Sequence, residues 1–152
     1  MAMIKPLCQA DAAKSGICWQ VTLAQFILAS GYGQTELAQK ANNFFGMKAS
    51  LSGNTWKSEW NGKTYRENTE EQDRWGNVSI ITADFRAYNN IAESIADHSA
   101  YLSGAKNGTA LRYKGLIGCV DPRTAISIIK NGGYATDTKY VDKVMSIITR
   151  WA

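Results

Sequence analysis

The sequence predicts an α+β fold in which helices flank a small antiparallel β lobe, and three observations support this prediction. Apolar residues recur at helical spacing before residue 49 and again after residue 89. Residues 49–82 carry glycines in turn-like contexts together with β-favouring side chains. A length of 152 residues suits a single core, so we expect one domain over 1–152. The order of helices, β lobe and helices favours two lobes with a cleft between them.

Glycines and a capping threonine delimit the helices that precede the β lobe. A helix is predicted over 20–29, and Gly31 and Gly33 end it, as glycine commonly does at a helix C-terminus. Thr35 is expected to cap a short second helix. The residues expected to face the core from this region are Ile17, Val21, Ala24, Leu28, Leu37, Ala38 and Ala41.

Two turn signals and one β-branched run predict the β lobe. The sequence NGK at 61–63 is a strong hairpin signal, and WGN at 75–77 is a second one. The run NVSIITADFRAY at 77–88 is rich in β-branched residues and predicts an extended strand. Together these segments predict a small antiparallel lobe.

Helices resume after the β lobe, and their first residues carry capping signals. Asn89 or Asn90 is expected to cap a helix, and Asp121 followed by Pro122 is a good start for another. A last helix is predicted over 137–151. The residues expected to face inward from the first of these helices are Ile91, Ile95, Ala96, His98 and Leu102.

Charge and hydropathy exclude several classes of partner. The net charge is +4 and the pI is about 9, which draws a protein to polyanions. The basic residues are scattered, so we expect no nucleic acid partner. No apolar run reaches the ~20 residues that span a bilayer, so we expect no membrane insertion. The first residues contain no long apolar segment, so no signal peptide is predicted.

The residues that bind metals or act as nucleophiles are scarce. Cys8, Cys18 and Cys119 form no CxxC pair, and His98 is the only histidine, so we expect no metal and no cofactor. We interpret the cysteines as small buried hydrophobes, with at most one bridge among them. His98 lies mid-helix near the apolar face and is interpreted as a structural histidine.

Carboxylates and aromatic rings are the remaining chemical groups. Flat rings suit sugar faces, a two-lobed cleft suits a polymer, and glycoside hydrolysis needs two carboxyl groups across the scissile bond. The end of the first helix, where one carboxyl group is needed, holds Ala29. The β lobe offers carboxyl groups at Glu59, Glu67, Glu70, Glu71 and Asp73.

Several motifs, in order, resemble one family of wall-cutting enzymes. The stretch SGICWQVTLAQFILASGYGQTELAQKANNFFGMK at 15–48 is followed by TEE at 69–71 and FRAY at 85–88. SIADH at 94–98 and GYATD at 133–137 complete the pattern. The chain resembles the bacterial endo-β-N-acetylglucosaminidases of glycoside hydrolase family 73, found in autolysins, flagellar muramidases and phage lysins. This resemblance implies a lysozyme-like fold with a helical lobe, a small β lobe and a groove between them.

The resemblance also implies catalytic roles. Ala29 stands where the family has a catalytic Glu that protonates the leaving oxygen, and losing such an acid costs on the order of 10²–10⁴-fold in rate. Glu71 matches the family's second carboxylate, with its neighbour Glu70 as the alternative. Tyr134 matches a tyrosine that the family places in the cleft, although a core aromatic is an equally good interpretation. Tyr32 replaces the usual Trp and keeps an aromatic ring there.

Three further positions are expected at the groove. Asn43 and Phe45 match the family's N-N-x-F-G segment, where they either line the groove or hold the loop. Tyr88 closes the FRAY motif and is expected to contact substrate. Phe85, in the same motif, is expected in the core.

The function that the resemblance implies is cleavage of peptidoglycan after N-acetylglucosamine. The expected partner is the glycan strand of the cell wall, met there by a secreted or phage-delivered monomer. Alternatives are a muramidase or lytic transglycosylase on the same fold, or a wall-binding module without catalysis. Ala29 is explained either by deliberate inactivation or by a natural pseudoenzyme.

Overall fold

The computed structural model describes residues 3–51, 56, 58 and 60–152, and a β-hairpin separates two groups of helices in it. The elements before and including the hairpin are α1 (Ile4–Ser15), α2 (Trp19–Ser30), α3 (Glu36–Ala41), β1 (Thr64–Gln72) and β2 (Val78–Arg86). The elements after it are α4 (Ile91–Gly104), β3 (Lys106–Asn107), β4 (Ala110–Leu111), α5 (Pro122–Asn131) and α6 (Tyr140–Trp151). This order confirms the α+β prediction.

Helix α2 lies at the centre of the helical lobe. Its residues from Val21 to Ile27 are all buried, because α1, α5 and α6 pack around it. The prediction that only one face of this helix is buried is therefore too narrow. The prediction that Leu28 lies in the core is wrong, since Leu28 is 37% exposed. The Phe26 ring stacks on Phe44 at 4.5 Å and joins α2 to the loop that follows α3.

The hairpin pairs β1 with β2 along their whole length. Tyr65 lies opposite Phe85 and Thr69 lies opposite Ile81. At the turn, the Asp73 carboxylate accepts hydrogen bonds from the backbone N–H groups of Trp75 and Asn77, which confirms the WGN signal. The NGK signal is wrong as a hairpin, since among the described residues a strand only follows it.

Another Asn-Gly pair, at 107–108, forms a second hairpin in the described part of the chain. Asn107 pairs with Ala110 across a two-residue turn that starts at Gly108, whose φ is +67°. The left-handed conformation that such turns require is open to glycine. The strands on either side have two residues each, which explains why no strand pattern announced them.

A buried ionic network attaches the hairpin to α4. Arg86 at the end of β2 donates from Nη1 to both Asp97 carboxylate oxygens at 3.0 and 3.2 Å. Asp97 also accepts hydrogen bonds from the hydroxyl groups of Tyr88 and Ser58. The Arg86 guanidinium lies 4.2 Å from the centre of the Trp60 ring. The FRAY and SIADH motifs therefore meet in one structural cluster.

The predicted helix caps are confirmed. Thr35 accepts a hydrogen bond from the N–H of Ala38, and Asp121 accepts one from the N–H of Thr124. Asn90, rather than Asn89, accepts from the N–H at the third position of α4.

Three details of the helices differ from the expectations. The last helix, α6, begins at Tyr140 rather than residue 137, because Asp137 is used in a preceding turn where it accepts from the N–H of Lys139. Ala96 is exposed, although the spacing predicted it inside. Helix α1 was not predicted. In the part of the chain that the structure describes, no helix is long and apolar enough to cross a membrane.

Candidate active site

A pocket lies where the end of α2, the start of α3, the loop after α3 and strand β1 meet. Its volume is about 250 Å³. Ala29 is exposed and lies on its wall, at the position where the resemblance places a catalytic carboxyl group. The lining residues are Ala29, Thr35, Leu37, Asn43, Gly46, Glu67, Asn68, Thr69 and Phe85.

The turn after α2 holds residue 29 at the pocket. Gly31, Tyr32 and Gly33 adopt φ values of +56°, +61° and +80°, so three successive residues are left-handed. Ser30 supports this turn, because its hydroxyl group donates to the Phe26 carbonyl and accepts from the Gly33 N–H at 2.9 Å. This left-handed turn begins two residues beyond Ala29, and the Ala29 side chain lies on the pocket wall.

Asn43 both lines the pocket and holds the loop beneath it. Its amide nitrogen donates to the carbonyls of Met47 and Arg86 at 2.9 and 2.8 Å, and its oxygen accepts from the Met47 N–H at 3.0 Å. The side chain is buried, so these bonds replace contacts with water. This geometry supports the loop-holding role that the sequence left open for Asn43.

Glu67 is the carboxyl group that the described strand β1 brings to the pocket. Tyr65, Glu67 and Thr69 are half-buried and alternate with exposed residues, as expected for a strand with one covered face. Helix α3 covers that face, and its Glu36 lines a neighbouring pocket together with Glu67. The sequence listed five acidic residues in this lobe and did not separate Glu67 from the others.

The two carboxyl groups have opposite electrostatic surroundings. Glu36 bonds to the Lys40 ammonium at 3.1 Å, and this hydrogen bond lowers the pKa of Glu36. Burial raises the pKa of Glu67, and the negative charge of Glu36 raises it further. Lys40 opposes this increase. The Glu36 shift comes from an exposed pair with Lys40, whereas the Glu67 shift comes first from its burial.

Glu71 and Glu70 occupy the outer half of β1. The backbone of Glu71 lies opposite Ser79, four residues beyond Glu67, and its side chain lies outside the described part of the structure. The catalytic role of Glu71 therefore stays a prediction. Glu70 is exposed and alternates with the half-buried residues, so it belongs to the face of the hairpin away from Glu67. The role of Glu70 as the alternative second carboxylate, or as a residue that contacts substrate, also stays a prediction.

Tyr134 forms a hydrogen bond inside the core. Its hydroxyl group lies 2.9 Å from Nε2 of His98, a residue with no exposed surface, while the rest of Tyr134 is half-buried. Burial lowers the pKa of His98 to about 3, so the imidazole is neutral at physiological pH. The burial of His98 supports the structural role predicted for it. Tyr134 does not line the pocket at Ala29, and its catalytic role stays a prediction.

The other aromatic residues expected at the groove have different locations. Tyr32 is 44% exposed beside the turn, and its ring meets that of Trp151 edge-on at 5.7 Å. Phe45 is buried and stacks on His98 at 3.9 Å, and Tyr88 is buried with its hydroxyl group on Asp97. The structure thus puts the Phe45 and Tyr88 rings in the core, because both have partners there, and their contact with substrate stays a prediction.

Among the described residues, metal-binding side chains form no cluster at this pocket. Within 3–51, 56, 58 and 60–152, no three His, Cys, Asp or Glu side chains could together hold a metal ion. Cys8, Cys18 and Cys119 are free thiols, of which the first two are buried. Among the residues described as lining the pocket, Glu67 is the one that carries a carboxyl group.

Comparison with known proteins gives one consistent family. The Glucosaminidase family model, described as mannosyl-glycoprotein endo-β-N-acetylglucosaminidase, matches residues 5–152. Exo-glucosaminidase LytG of Bacillus subtilis is 33% identical over 131 residues, which are 86% of this chain and 43% of LytG. Peptidoglycan hydrolase FlgJ of Salmonella typhimurium is 30% identical over 89% of this chain and 40% of its own length. The chain thus spans less than half of either relative.

The fold agrees with a solved structure of similar type. The catalytic domain of the autolysin Auto from Listeria monocytogenes superposes with a TM-score of 0.82 at 26% identity. The match covers 99% of this chain and 81% of that domain. The lysozyme-like, two-lobed fold implied by the sequence motifs is confirmed by this similarity.

Proposed function

Because the chain belongs to the Glucosaminidase family, we propose that it is a peptidoglycan hydrolase domain that cuts the β-1,4 bond after N-acetylglucosamine. The observation that carries this proposal is the exposed position of residue 29 in a pocket whose opposite wall is the carboxyl-bearing strand β1. Relatives named as peptidoglycan hydrolase and exo-glucosaminidase support the substrate class.

The proposed reaction assigns one role to each side of the pocket. A carboxyl group at position 29 donates a proton to the glycosidic oxygen while the bond from that oxygen to C1 breaks. A carboxylate of the β lobe, assigned to Glu71, takes a proton from the water that bonds to C1. Ala29 has no proton to donate, so this chain is expected to be slower by on the order of 10²–10⁴-fold than a form with the acid.

The proposed partner is the glycan strand of the bacterial wall, which the domain meets at the wall as a monomer. We expect no membrane insertion and no nucleic acid in this function. Tyr32, beside the turn that follows α2, is proposed to stack on a sugar of the bound strand, since its ring is exposed.

A wall-binding module without catalysis is the second candidate, and Ala29 itself favours it. A muramidase or lytic transglycosylase would cut the same polymer at a different bond or leave a different end group. The family description names an endo-acting enzyme and LytG is named as an exo-acting one, so the size of the products also matters.

The test compares this chain with Ala29→Glu and with Ala29→Gln on purified peptidoglycan. Glutamine matches glutamate in size but cannot donate a proton as a carboxylic acid, so it separates proton donation from bulk. We expect that only Ala29→Glu clears the wall rapidly, with reducing N-acetylglucosamine ends identified by mass spectrometry. If all three proteins sediment with the wall and release no sugar, the binding module is correct.

A further inference from the structure

We propose that Glu67 is a second proton donor of this pocket and supplies the proton for the slow cleavage that remains when residue 29 is alanine. This inference rests on the proposed glucosaminidase function. It assigns a catalytic role to a residue that none of the sequence motifs singled out.

The geometry places Glu67 and residue 29 in one small cavity. Ala29 at the end of α2 and Glu67 on β1 both line the 250 Å³ pocket, and Thr35 and Leu37 at the beginning of α3 line it as well. Replacing the family's glutamate with alanine also removes side-chain volume from that wall. The bound sugar can therefore bring its glycosidic oxygen closer to the Glu67 side of the pocket.

Helix α3 places a negative charge near Glu67. Lys40 bonds to Glu36 at 3.1 Å and stabilises this charge. Burial and the Glu36 charge both raise the pKa of Glu67, so Glu67 keeps its proton to higher pH than an ordinary glutamate. The charged and titratable groups near Glu67 are Glu36 and Lys40 from α3, and Tyr65 and Arg66 from its own strand. Its partner on β2 is Ala83, which carries no charge.

The proposed step balances in protons and electrons. The Glu67 carboxylic acid gives its proton to the glycosidic oxygen, and the electron pair of the bond from C1 to that oxygen leaves with the departing sugar as a hydroxyl group. Water then bonds to C1 and gives a proton to the Glu67 carboxylate. One water molecule is consumed, and Glu67 regains its starting protonation state.

The experiment measures slow release of reducing N-acetylglucosamine ends from purified peptidoglycan by this chain, by Glu67→Gln and by Glu93→Gln. Glu93 is an exposed carboxylate at the start of α4 that lines no part of the pocket, so it controls for the chemical change. Thermal unfolding of each variant verifies its fold. We expect Glu67→Gln to lower the residual rate at least about tenfold, since general acid catalysis contributes ~10²–10⁴-fold. Glu93→Gln should retain the residual rate.

A pH profile separates proton donation from a structural effect. Glu67 must be protonated to act, so the residual rate should fall as the pH rises through its pKa. Glu36→Gln removes the negative charge beside Glu67, lowers the pKa of Glu67 and should move this decrease to lower pH. A merely structural role of Glu36 would lower the rate at every pH without moving the profile.

Each outcome has one meaning. Equal residual rates for this chain and Glu67→Gln would overturn the inference, as would an unmoved pH profile in Glu36→Gln. If Ala29→Glu cuts peptidoglycan and this chain releases nothing, the glucosaminidase function stands and the role of Glu67 is wrong. If neither protein releases sugar, the proposed function fails and the role of Glu67 fails with it.

Discussion

Removal of the Asp97 carboxylate should destabilise the protein strongly, because it leaves the Arg86 guanidinium buried without its partner. Both side chains are only 3% exposed, and their closest contact is 3.0 Å. Removing one member of a buried ion pair costs about 3–5 kcal/mol. For a chain of this length each kcal/mol lowers Tm by roughly 2–4 °C, so Asp97→Ala should lower Tm by about 6–20 °C.

The assay is urea unfolding followed by tryptophan fluorescence, with thermal unfolding as a second measurement. Asp84→Ala is the matched control, because it breaks the Arg66–Asp84 pair, whose side chains are 73% and 43% exposed. An exposed pair contributes about 0–1 kcal/mol, so the control should unfold almost like the parent chain. If Asp97→Ala lowers the free energy of unfolding by less than about 1 kcal/mol, the buried network does not stabilise the attachment of the hairpin to α4.

Three further results are expected. The pKa of His98 is about 3 in the folded state and 6.5 in the unfolded state. As the pH falls below 6.5, the unfolded state therefore binds a proton at His98 that the folded state does not bind. The free energy of unfolding should therefore fall by about 2 kcal/mol between pH 6.5 and pH 5, and His98→Gln should show a smaller decrease in the same urea titration. Gly104→Ala should destabilise by about 1–3 kcal/mol despite the better helix propensity of alanine, because the new Cβ would lie 2.5 Å from Cβ of Trp56; an unchanged or higher Tm would contradict this. Ala29→Glu should change stability by no more than about 0.5 kcal/mol, because residue 29 is exposed, and a much larger loss in denaturant titration would contradict its place at the pocket wall.

Local chemistry explains which elements could be predicted. A helix cap is a hydrogen bond between residues three positions apart in the sequence, so Thr35 and Asp121 could be used to predict where their helices begin. Helix α1 buries only Ile4 and Cys8 and has no capping side chain, so its packing against α2 and α4 is what stabilises it. Asn-Gly pairs show that a local turn signal does not by itself decide whether a hairpin forms. The pair at 107–108 joins two strands, whereas the pair at 61–62 does not.

The candidate site divides in the same way. The motifs placed Ala29 at a cleft, and the glycines around Tyr32 predicted the turn that exposes it. Phe45 and Tyr88 have the same motif support, yet their rings have partners in the core. A family motif contains both the residues that line a pocket and the residues that stabilise its walls. The motif alone therefore does not separate these two groups.

The sequence by itself determined the family, the order of helices and hairpin, and the missing acid at Ala29, because each depends on residue identity and short spacing. Only the tertiary structure showed that Glu67 lines the same pocket as residue 29. The acidic residues of β1 look alike along the chain, but strand alternation separates Glu67 from the exposed Glu70, and the negative charge of Glu36 on α3 raises the pKa of Glu67. Burial and a neighbouring charge are properties of the folded arrangement, and they set the proton affinity that a catalytic carboxyl group needs.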